Sequence, residues 1–180
     1  MPDETRDGDR FIQEQPESAR LRFEEEMLGL LPRLRRFAHA LARGGADADD
    51  LLQAAVERAL LKRDQWQAGT RLDSWMYRIM RNLWIDTVRA DGRRGETFAP
   101  PDEGERIGRD GGQETAVEIG NVGRAMRALP PDQREAIALV VVEGFAYKDA
   151  AKILDIPIGT LTSRLVRGRE ALMARLGEAA

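Results

Sequence analysis

One segment of the chain, residues 70–94, combines aromatic rings and positive charges in a helical pattern. It holds two tryptophans, one tyrosine and six arginines against three aspartates. At 100° per residue, one flank of this helix carries Trp75, Arg78, Asn82 and Arg89. Aromatic faces stack on unpaired bases at about 1–3 kcal/mol per base, arginine binds phosphates, and an amide can hydrogen-bond a base edge. The flank therefore has the chemistry of a platform for single-stranded nucleic acid.

The same helix also has a purely structural interpretation. Its predicted core face consists of Leu72, Met76, Ile79, Met80 and Leu83, and the side away from the platform carries Tyr77, Arg81, Trp84 and Val88. Tryptophans near a core edge are common, so Trp75 and Trp84 could close a small hydrophobic core while the arginines face solvent. From this helix alone, both interpretations stay open.

A second segment with nucleic-acid chemistry begins at residue 144 and reads GFAYKDAAKILDIPIGTLTSRLVRGRE. A short apolar-faced helix is followed by Asp155, where we expect a left-handed turn, and then by a helix with inward leucines. The outward or flanking residues of this last helix are Thr162, Ser163, Arg164, Arg167 and Arg169. The order predicts a helix-turn-helix, whose second helix enters the major groove. An ordinary helical hairpin with a solvated arginine face is the alternative.

Apolar spacing near 3.6 residues predicts the helices that must position these segments. They cover residues 16–42, 47–63, 72–90, 117–129, 132–143, 147–154 and 159–176. Pro32 should kink the first helix or start another one there. Residues 91–120 contain seven glycines, a Pro-Pro pair and an excess of acid, which is typical of a flexible linker.

The predicted fold class is all-α, with two small helical domains joined by a flexible acidic linker, the second being a helix-turn-helix domain. We place the first domain at residues 16–91, the linker at 92–116 and the second domain at 117–177. The first dozen residues show no periodicity and are expected to form a mobile tail.

The composition narrows the classes of function. The chain has 180 residues, a net charge of −3, no cysteine and a single histidine, His39, expected at the edge of the core. Disulfides, thiol catalysis and cysteine-ligated zinc are excluded, and we expect no metal and no cofactor. No run of 18 apolar residues and no signal-peptide pattern is present, so a cytoplasmic location without membrane insertion is expected. Although the net charge is negative, the two basic helices create local fields that suit a polyanion.

Three segments, taken in this order, resemble the extracytoplasmic-function (ECF) class of bacterial sigma factors. DLLQAAVERAL at 50–60 is similar to the family's Asp-Leu-Val-Gln motif, and the aromatic helix within 70–94 is similar to its Leu-Tyr-Arg-Ile-Ala-Arg-Asn element. The third and closest match is LPPDQREAIALVVVEGFAYKDAAKILDIPIGTLTSRLVRGREAL. The resemblance covers residues 24–176 apart from the linker.

The resemblance implies a promoter-specificity subunit of RNA polymerase and not an enzyme. The implied partners are core RNA polymerase, promoter DNA and an anti-sigma factor. The residues that it implies for contact with the polymerase clamp are Asp50, Gln53, Glu57 and Arg58. Those that it implies for binding the melted minus-ten strand are Trp75, Arg78, Asn82 and Arg89. Those that it implies for recognition of the minus-thirty-five duplex are Thr162, Ser163, Arg164 and Arg167.

Five positions depart from the family pattern. Ala54 stands where the family usually has an acid, and Leu60 stands where it usually has tryptophan, so the clamp contact is altered in detail. Thr162 and Val166 replace residues that are often basic or aromatic, which changes the promoter sequence to be read. Asp155 replaces the usual turn glycine and should make a strained or aspartate-stabilised turn.

Other functions remain to be weighed. A stand-alone helix-turn-helix regulator would explain the second domain but neither the aromatic flank nor the DLLQ helix. A helical hydrolase or metal enzyme would have to use Asp47, Asp49 and Asp50, which a helix N-terminus explains better. The acidic linker and tail could also mask the basic helices in the free protein, or could simply be a solvated spacer.

Overall fold

The computed structural model describes residues 16–67, 69–93 and 113–177, and within these ranges every regular element is helical. The α-helices are α1 (Pro16–Leu41), α2 (Gly45–Leu61), α3 (Leu72–Arg93), α4 (Gln113–Arg127), α5 (Pro131–Ile137), α6 (Tyr147–Leu154) and α7 (Ile158–Gly177). A short 3-10 helix covers Arg63–Gln65, and a π-helical turn covers Ala138–Val142. The all-α prediction is confirmed.

The N-terminal region, α1 to α3, is a three-helix unit built around α1. Phe23, Leu34 and Phe37 of α1 are buried, and α2 turns its small residues Ala55 and Ala59 towards the core. Pro32 does not start a second helix, because α1 runs through this residue as one helix. Pro32 is exposed, and buried residues on both sides of it hold the helix together despite the lost backbone bond.

The C-terminal region, α4 to α7, contains the predicted helix-turn-helix. Helix α5 continues directly into the π turn, where the amide of Glu143 donates to the carbonyl of Ala138 at 3.0 Å. Helices α5 and α7 approach closely at Gly168, where a Cβ would lie 3.0 Å from Cγ1 of Ile137. A wider side chain at position 168 would push these helices apart.

The two regions share one continuous core in this form. Tyr77 and Trp84, which the sequence placed on the side of α3 away from its core face, are buried at 0% and 5% exposure. Expected core residues Ile79 and Leu83 are only half-buried. The buried face is rotated because the C-terminal region covers this flank of α3, and a helical wheel contains no information about such a neighbour.

The predictions for His39, for the linker and for the tail compare with the structure as follows. His39 is exposed and not at a core edge. Helix α3 reaches Arg93 and α4 begins at Gln113, so both extend into the stretch predicted as linker. The rest of that linker, 94–112, and the predicted tail at 1–15 lie outside the described residues. None of the helices in the described part of the chain is long and apolar enough to cross a membrane.

Two glycines inside helices provide a test of the close approach at Gly168. Gly29→Ala meets nothing within 4 Å, so it should raise the free energy of unfolding by about 0.5–1 kcal/mol through helix propensity. Gly168→Ala should gain clearly less, because Ile137 must move. Thermal denaturation of both variants measures the difference. Equal gains would show that α5 and α7 are not in tight contact.

Candidate nucleic-acid and polymerase interface

A groove between α2 and α3 brings together residues that the sequence assigned to different partners. It encloses about 90 Å³ and is lined by Arg58, Lys62, Ile79, Asn82, Leu83 and Asp86. Arg58 was expected on the polymerase surface, whereas the structure places it beside Asn82. Two cations outnumber the single carboxylate, Asp86, around an apolar floor, and together with the exposed amide they suit one base and its flanking phosphates.

The other residues of the predicted single-strand platform have separate surroundings. Trp75 is half-buried and packs edge-on against Phe23, with ring centroids 6.1 Å apart, as the core-edge interpretation expected. Arg78 donates through Nη2 to the carbonyl oxygen of Lys152 at 2.8 Å, across the boundary between the two regions. Arg89 is exposed. In this form the flank is therefore not one continuous free surface.

Helix α2 presents a polar face opposite its buried alanines. Asp50, Gln53, Glu57 and Arg58 are all exposed, and Nε2 of Gln53 donates to Oε1 of Glu57 at 2.9 Å one turn later. The spacing of these four residues puts them on one side of the helix. This side is open to a protein partner.

The helix-turn-helix turns at Asp155, which has φ 54° and ψ 50°. The left-handed backbone confirms the expectation for this residue, and an aspartate there replaces the glycine that such a conformation favours. The buried alanines Ala150 and Ala151 leave room for α7 to cross α6 closely, and Leu161 and Leu165 of α7 fill the interior.

The outward side of α7 presents an open face formed by Thr162, Ser163, Val166 and Arg167. The hydroxyl groups of Thr162 and Ser163 donate to the carbonyls of Ile158 and Gly159 at 2.9 and 3.0 Å. Both hydroxyl protons are therefore used within the helix. Nε of Arg167 donates to the carbonyl of Ser163 at 3.3 Å, so the methyl groups of Val166 and the outer guanidinium nitrogens of Arg167 remain available to a ligand.

Arg164 is the exception among the predicted duplex-reading residues. Its side chain is only 19% exposed, and its Nη1 lies 2.9 Å from Oε1 of Glu135. Its Nε also lies 3.5 Å from a carboxylate oxygen of Asp132. Arg164 therefore lies on the flank of α7, one of the two positions expected for it, where carboxylates of α5 hold the guanidinium.

Sequence reasoning missed Glu143, whose side chain is fully buried between the regions. Its carboxylate accepts hydrogen bonds from Nε of Arg33 at 3.3 Å, from Nε of Arg36 at 3.2 Å and from the hydroxyl of Tyr77 at 2.6 Å. Burial, and then the bond to Glu143, raise the pKa of the Tyr77 phenol well above its usual range. Tyr77 therefore remains a neutral hydrogen-bond donor to this carboxylate.

Glu135 makes a second charged contact of the same kind. It is 1% exposed and lies between Arg81 of α3, at 2.9 Å from Nε, and Arg164 of α7. One carboxylate of the C-terminal region thus pairs with an arginine from each region. Charge-assisted contacts of this kind are about twice as strong as neutral ones.

Arg134 joins the regions through backbone oxygens. It is 2% exposed and donates to the carbonyls of Leu41 at 2.8 Å and Leu129 at 3.0 Å. Burial first, and then the neighbouring charges of Arg43 and Arg127, lower its pKa to about 10, so it stays charged near neutrality. The sequence did carry a signal for these buried charges. The apolar run at 136–142 is flanked by Arg134, Glu135 and Glu143. Charged residues are almost never buried unless they are paired, so charges beside a buried run indicate ion pairs.

Comparison with known proteins agrees with this two-part arrangement. The family model described as Sigma-70 region 2 matches residues 28–94, and the one described as Sigma-70, region 4 matches residues 119–172. The chain is 38% identical over 152 residues to the ECF RNA polymerase sigma factor EcfG of Rhodopseudomonas palustris, covering 84% of this chain and 83% of that protein.

Solved structures give the same architecture. The sigma factor RpoE from Bartonella quintana, solved in complex with the anti-sigma factor NepR, matches with a TM-score of 0.73 and 34% identity over 87% of this chain and 97% of that one. CnrH, solved in complex with the cytosolic domain of CnrY, shares the fold with a TM-score of 0.68, 20% identity and coverage of 91% of this chain and 95% of that one.

A region 2 helical unit followed by a helix-turn-helix region 4 defines the sigma factors, which are transcription initiation subunits of RNA polymerase and not enzymes. Within that class, this chain belongs to the ECF RNA polymerase sigma factors. A stand-alone helix-turn-helix regulator leaves the region 2 match unexplained and is set aside.

Proposed function

We propose that this sigma factor reads a promoter at two places with the surfaces described above. The α2–α3 groove takes one unstacked base of the minus-ten strand, with Asn82 on its edge and with Arg58 and Lys62 on its phosphates. The open face of α7 that carries Thr162, Ser163, Val166 and Arg167 enters the major groove at the minus-thirty-five element. The polar side of α2 that carries Asp50, Gln53 and Glu57 contacts core polymerase.

The observation that carries the proposal is the position of Asn82 in a groove whose other wall holds Arg58 and Lys62. An amide supplies a donor and an acceptor to a base edge, and the cations supply affinity that does not depend on sequence. This combination suits a melted strand better than a duplex, because a paired base stays inside the stack and cannot enter a groove between two helices.

Reconstituted transcription tests the function directly. Core RNA polymerase with this protein should initiate at specific sites in a genomic promoter library, whereas core polymerase alone should not. The measurement is mapping of transcript 5′ ends. A lack of specific starts with the full chain would contradict the proposal.

The groove assignment predicts a defect in strand opening. With holoenzyme, Asn82→Ala should slow open-complex formation on duplex promoter by about tenfold, the effect of one base-edge contact, which is ~1–3 kcal/mol. A template already melted at minus ten should show the same loss of affinity for its single strand. Permanganate footprinting and filter binding provide the readouts.

The matched control for Asn82→Ala is Asn121→Ala, which removes an asparagine of α4 whose carbonyl accepts locally from Arg124. It should leave both readouts unchanged. Normal opening by Asn82→Ala would place the base elsewhere on α3.

The surface of α7 predicts that Val166 senses a thymine. The C5 methyl of thymine is the apolar feature of the major groove, and Val166 offers methyl groups at 49% exposure. Replacing single thymines of the minus-thirty-five element by deoxyuracil should weaken promoter binding at one position by about fourfold, the effect of one buried methyl group.

Val166→Ala should abolish the deoxyuracil effect at that position, while Val122→Ala, an exposed valine of α4, should preserve it. Competition between thymine and deoxyuracil promoters for holoenzyme measures both. An undiminished deoxyuracil effect in Val166→Ala would remove Val166 from the readout.

We also propose control by an anti-sigma factor. The support is the 34% identity to a sigma factor that was solved with its anti-sigma factor. A cytoplasmic location follows from the proposed role, since polymerase and chromosome are found there.

A further inference from the structure

We propose that Asp86 selects the base that enters the α2–α3 groove. Its carboxylate accepts a hydrogen bond from an exocyclic amino group, so guanine, adenine or cytosine fits there and thymine is rejected. Thymine is the one DNA base without an amino group. This inference rests on the proposed function of the groove and adds a specificity-determining residue to it.

Asp86 belongs to one stripe of α3. The stripe is formed by the α3 residues that line the groove, namely Ile79, Asn82, Leu83 and Asp86. Their spacing of three or four residues places them on one side of the helix. The polar members, Asn82 and Asp86, lie one turn apart, and the apolar members form the floor beside them. A base that lies on this floor therefore meets an amide and a carboxylate at its edge.

No structural role accounts for Asp86. It is exposed, and within the described ranges its carboxylate makes no hydrogen bond or ion pair, although Arg89 lies three residues further along α3. An acid is favoured in the first turn of a helix, where the dipole attracts it, and Asp73 occupies that turn in α3. Asp86 lies in the second half of the helix, where neither helix propensity nor the dipole favours an aspartate.

The Asp86 carboxylate also opposes the general affinity of the groove for a polyanion. Arg58 and Lys62 on the α2 wall attract phosphates, whereas Asp86 repels them. Although these three charges line one groove, Asp86 pairs with neither cation in the part of the chain that the structure describes. The two walls thus keep an acceptor and two cations available to different parts of one nucleotide, the acceptor to the base and the cations to its phosphates.

Asn82 and Asp86 together complement an amino-bearing base. Oδ1 of Asn82 accepts from Nη1 of Arg81 at 3.5 Å, which leaves the donating nitrogen of the amide to the base. The carboxylate of Asp86 is an acceptor only. Guanine, adenine and cytosine each carry an amino donor and an acceptor on the edge that pairing normally covers. On thymine the single N–H of this edge lies between two carbonyl oxygens, and a carboxylate repels both.

The position that occupies the groove is located first. Holoenzyme is bound to a promoter mapped by transcription and already melted at minus ten, and each base of its non-template strand is removed in turn. Loss of the base in the groove should weaken binding by about tenfold in wild type. It should cost clearly less in Asn82→Ala, because that variant has already lost the contact. Competition between labelled and unlabelled templates measures the affinities.

The selection is then measured at that position. Wild type should bind a template with thymine there about tenfold more weakly than one with the best amino-bearing base. Deletion of the amino group alone should cost a similar factor, since a hydrogen bond to a charged acceptor is lost. The analogues are inosine for guanine, unsubstituted purine for adenine and pyrimidin-2-one for cytosine. They identify which amino-bearing base the groove takes.

Asp86→Asn is the decisive variant. Asparagine keeps the size of the side chain, but its amide can turn a donor towards the carbonyl oxygens of thymine. The thymine penalty should fall from about tenfold to about twofold, because neutral hydrogen bonds are weaker and the repulsion is gone. The penalty is a ratio of two affinities of the same variant, so a general gain in DNA affinity from the lost negative charge cancels.

The control is Asp64→Asn, which removes the same charge two residues after Lys62 but outside the groove. The side chain of Asp64 is 93% exposed and lies 3.7 Å from Nε of its neighbour Arg63. This variant should keep the full thymine penalty. A wild-type preference for thymine, an unchanged penalty in Asp86→Asn, or an equal loss of the penalty in Asp64→Asn would each overturn the inference.

Failure of the groove and failure of the selection give different results. If base removal costs Asn82→Ala as much as wild type at every position, the groove holds no base and its proposed function fails. If one position does depend on Asn82 and Asp86→Asn keeps the thymine penalty there, the groove stands and only selection by Asp86 fails.

Discussion

The structure depends on a buried carboxylate. Glu143 carries a charge into the boundary between two helical regions, where an unpaired ion would be strongly destabilising. Arg33, Arg36 and Tyr77 supply its hydrogen bonds, and the aromatic rings around Tyr77 exclude water from it. Because breaking a buried pair leaves an uncompensated charge, this contact holds the two regions in one defined relative position.

Arginine serves two purposes in this chain. It is the side chain best suited to phosphates and to carboxylates alike, since its planar fork binds either one through two parallel bonds. Arg81 and Arg164 meet on Glu135 in the described form, while Arg58 and Arg167 remain on open surfaces. The distribution separates arginines that are exposed to a phosphate from those whose guanidinium already pairs with a carboxylate of this chain.

Sequence patterns were sufficient for the helices and for the turn at Asp155. Local rules determine those features: apolar spacing sets helix faces, and a short polar residue tolerates a left-handed backbone. They were insufficient for α3, where Tyr77 and Trp84 lie inside and not outside. The orientation of α3 depends on a second region far along the chain, and no periodicity within the helix reports that contact. The partner of Arg164 could not be predicted for a similar reason, since Glu135 lies on another helix.

The π turn at Ala138–Val142 determines where Glu143 lies. Such a turn acts as one extra residue inserted into a helix, and one residue corresponds to a rotation of about 100°. With an ordinary α-helical turn here, the carboxylate would swing out to solvent and an aliphatic side chain would approach Tyr77 instead. Arg33, Arg36 and Tyr77 would then lose the acceptor they share, and the charged contacts left between the regions would be those of Arg81 with Glu135 and Arg71 with Asp149. The irregular turn therefore sets how strongly the contact between the regions depends on charge.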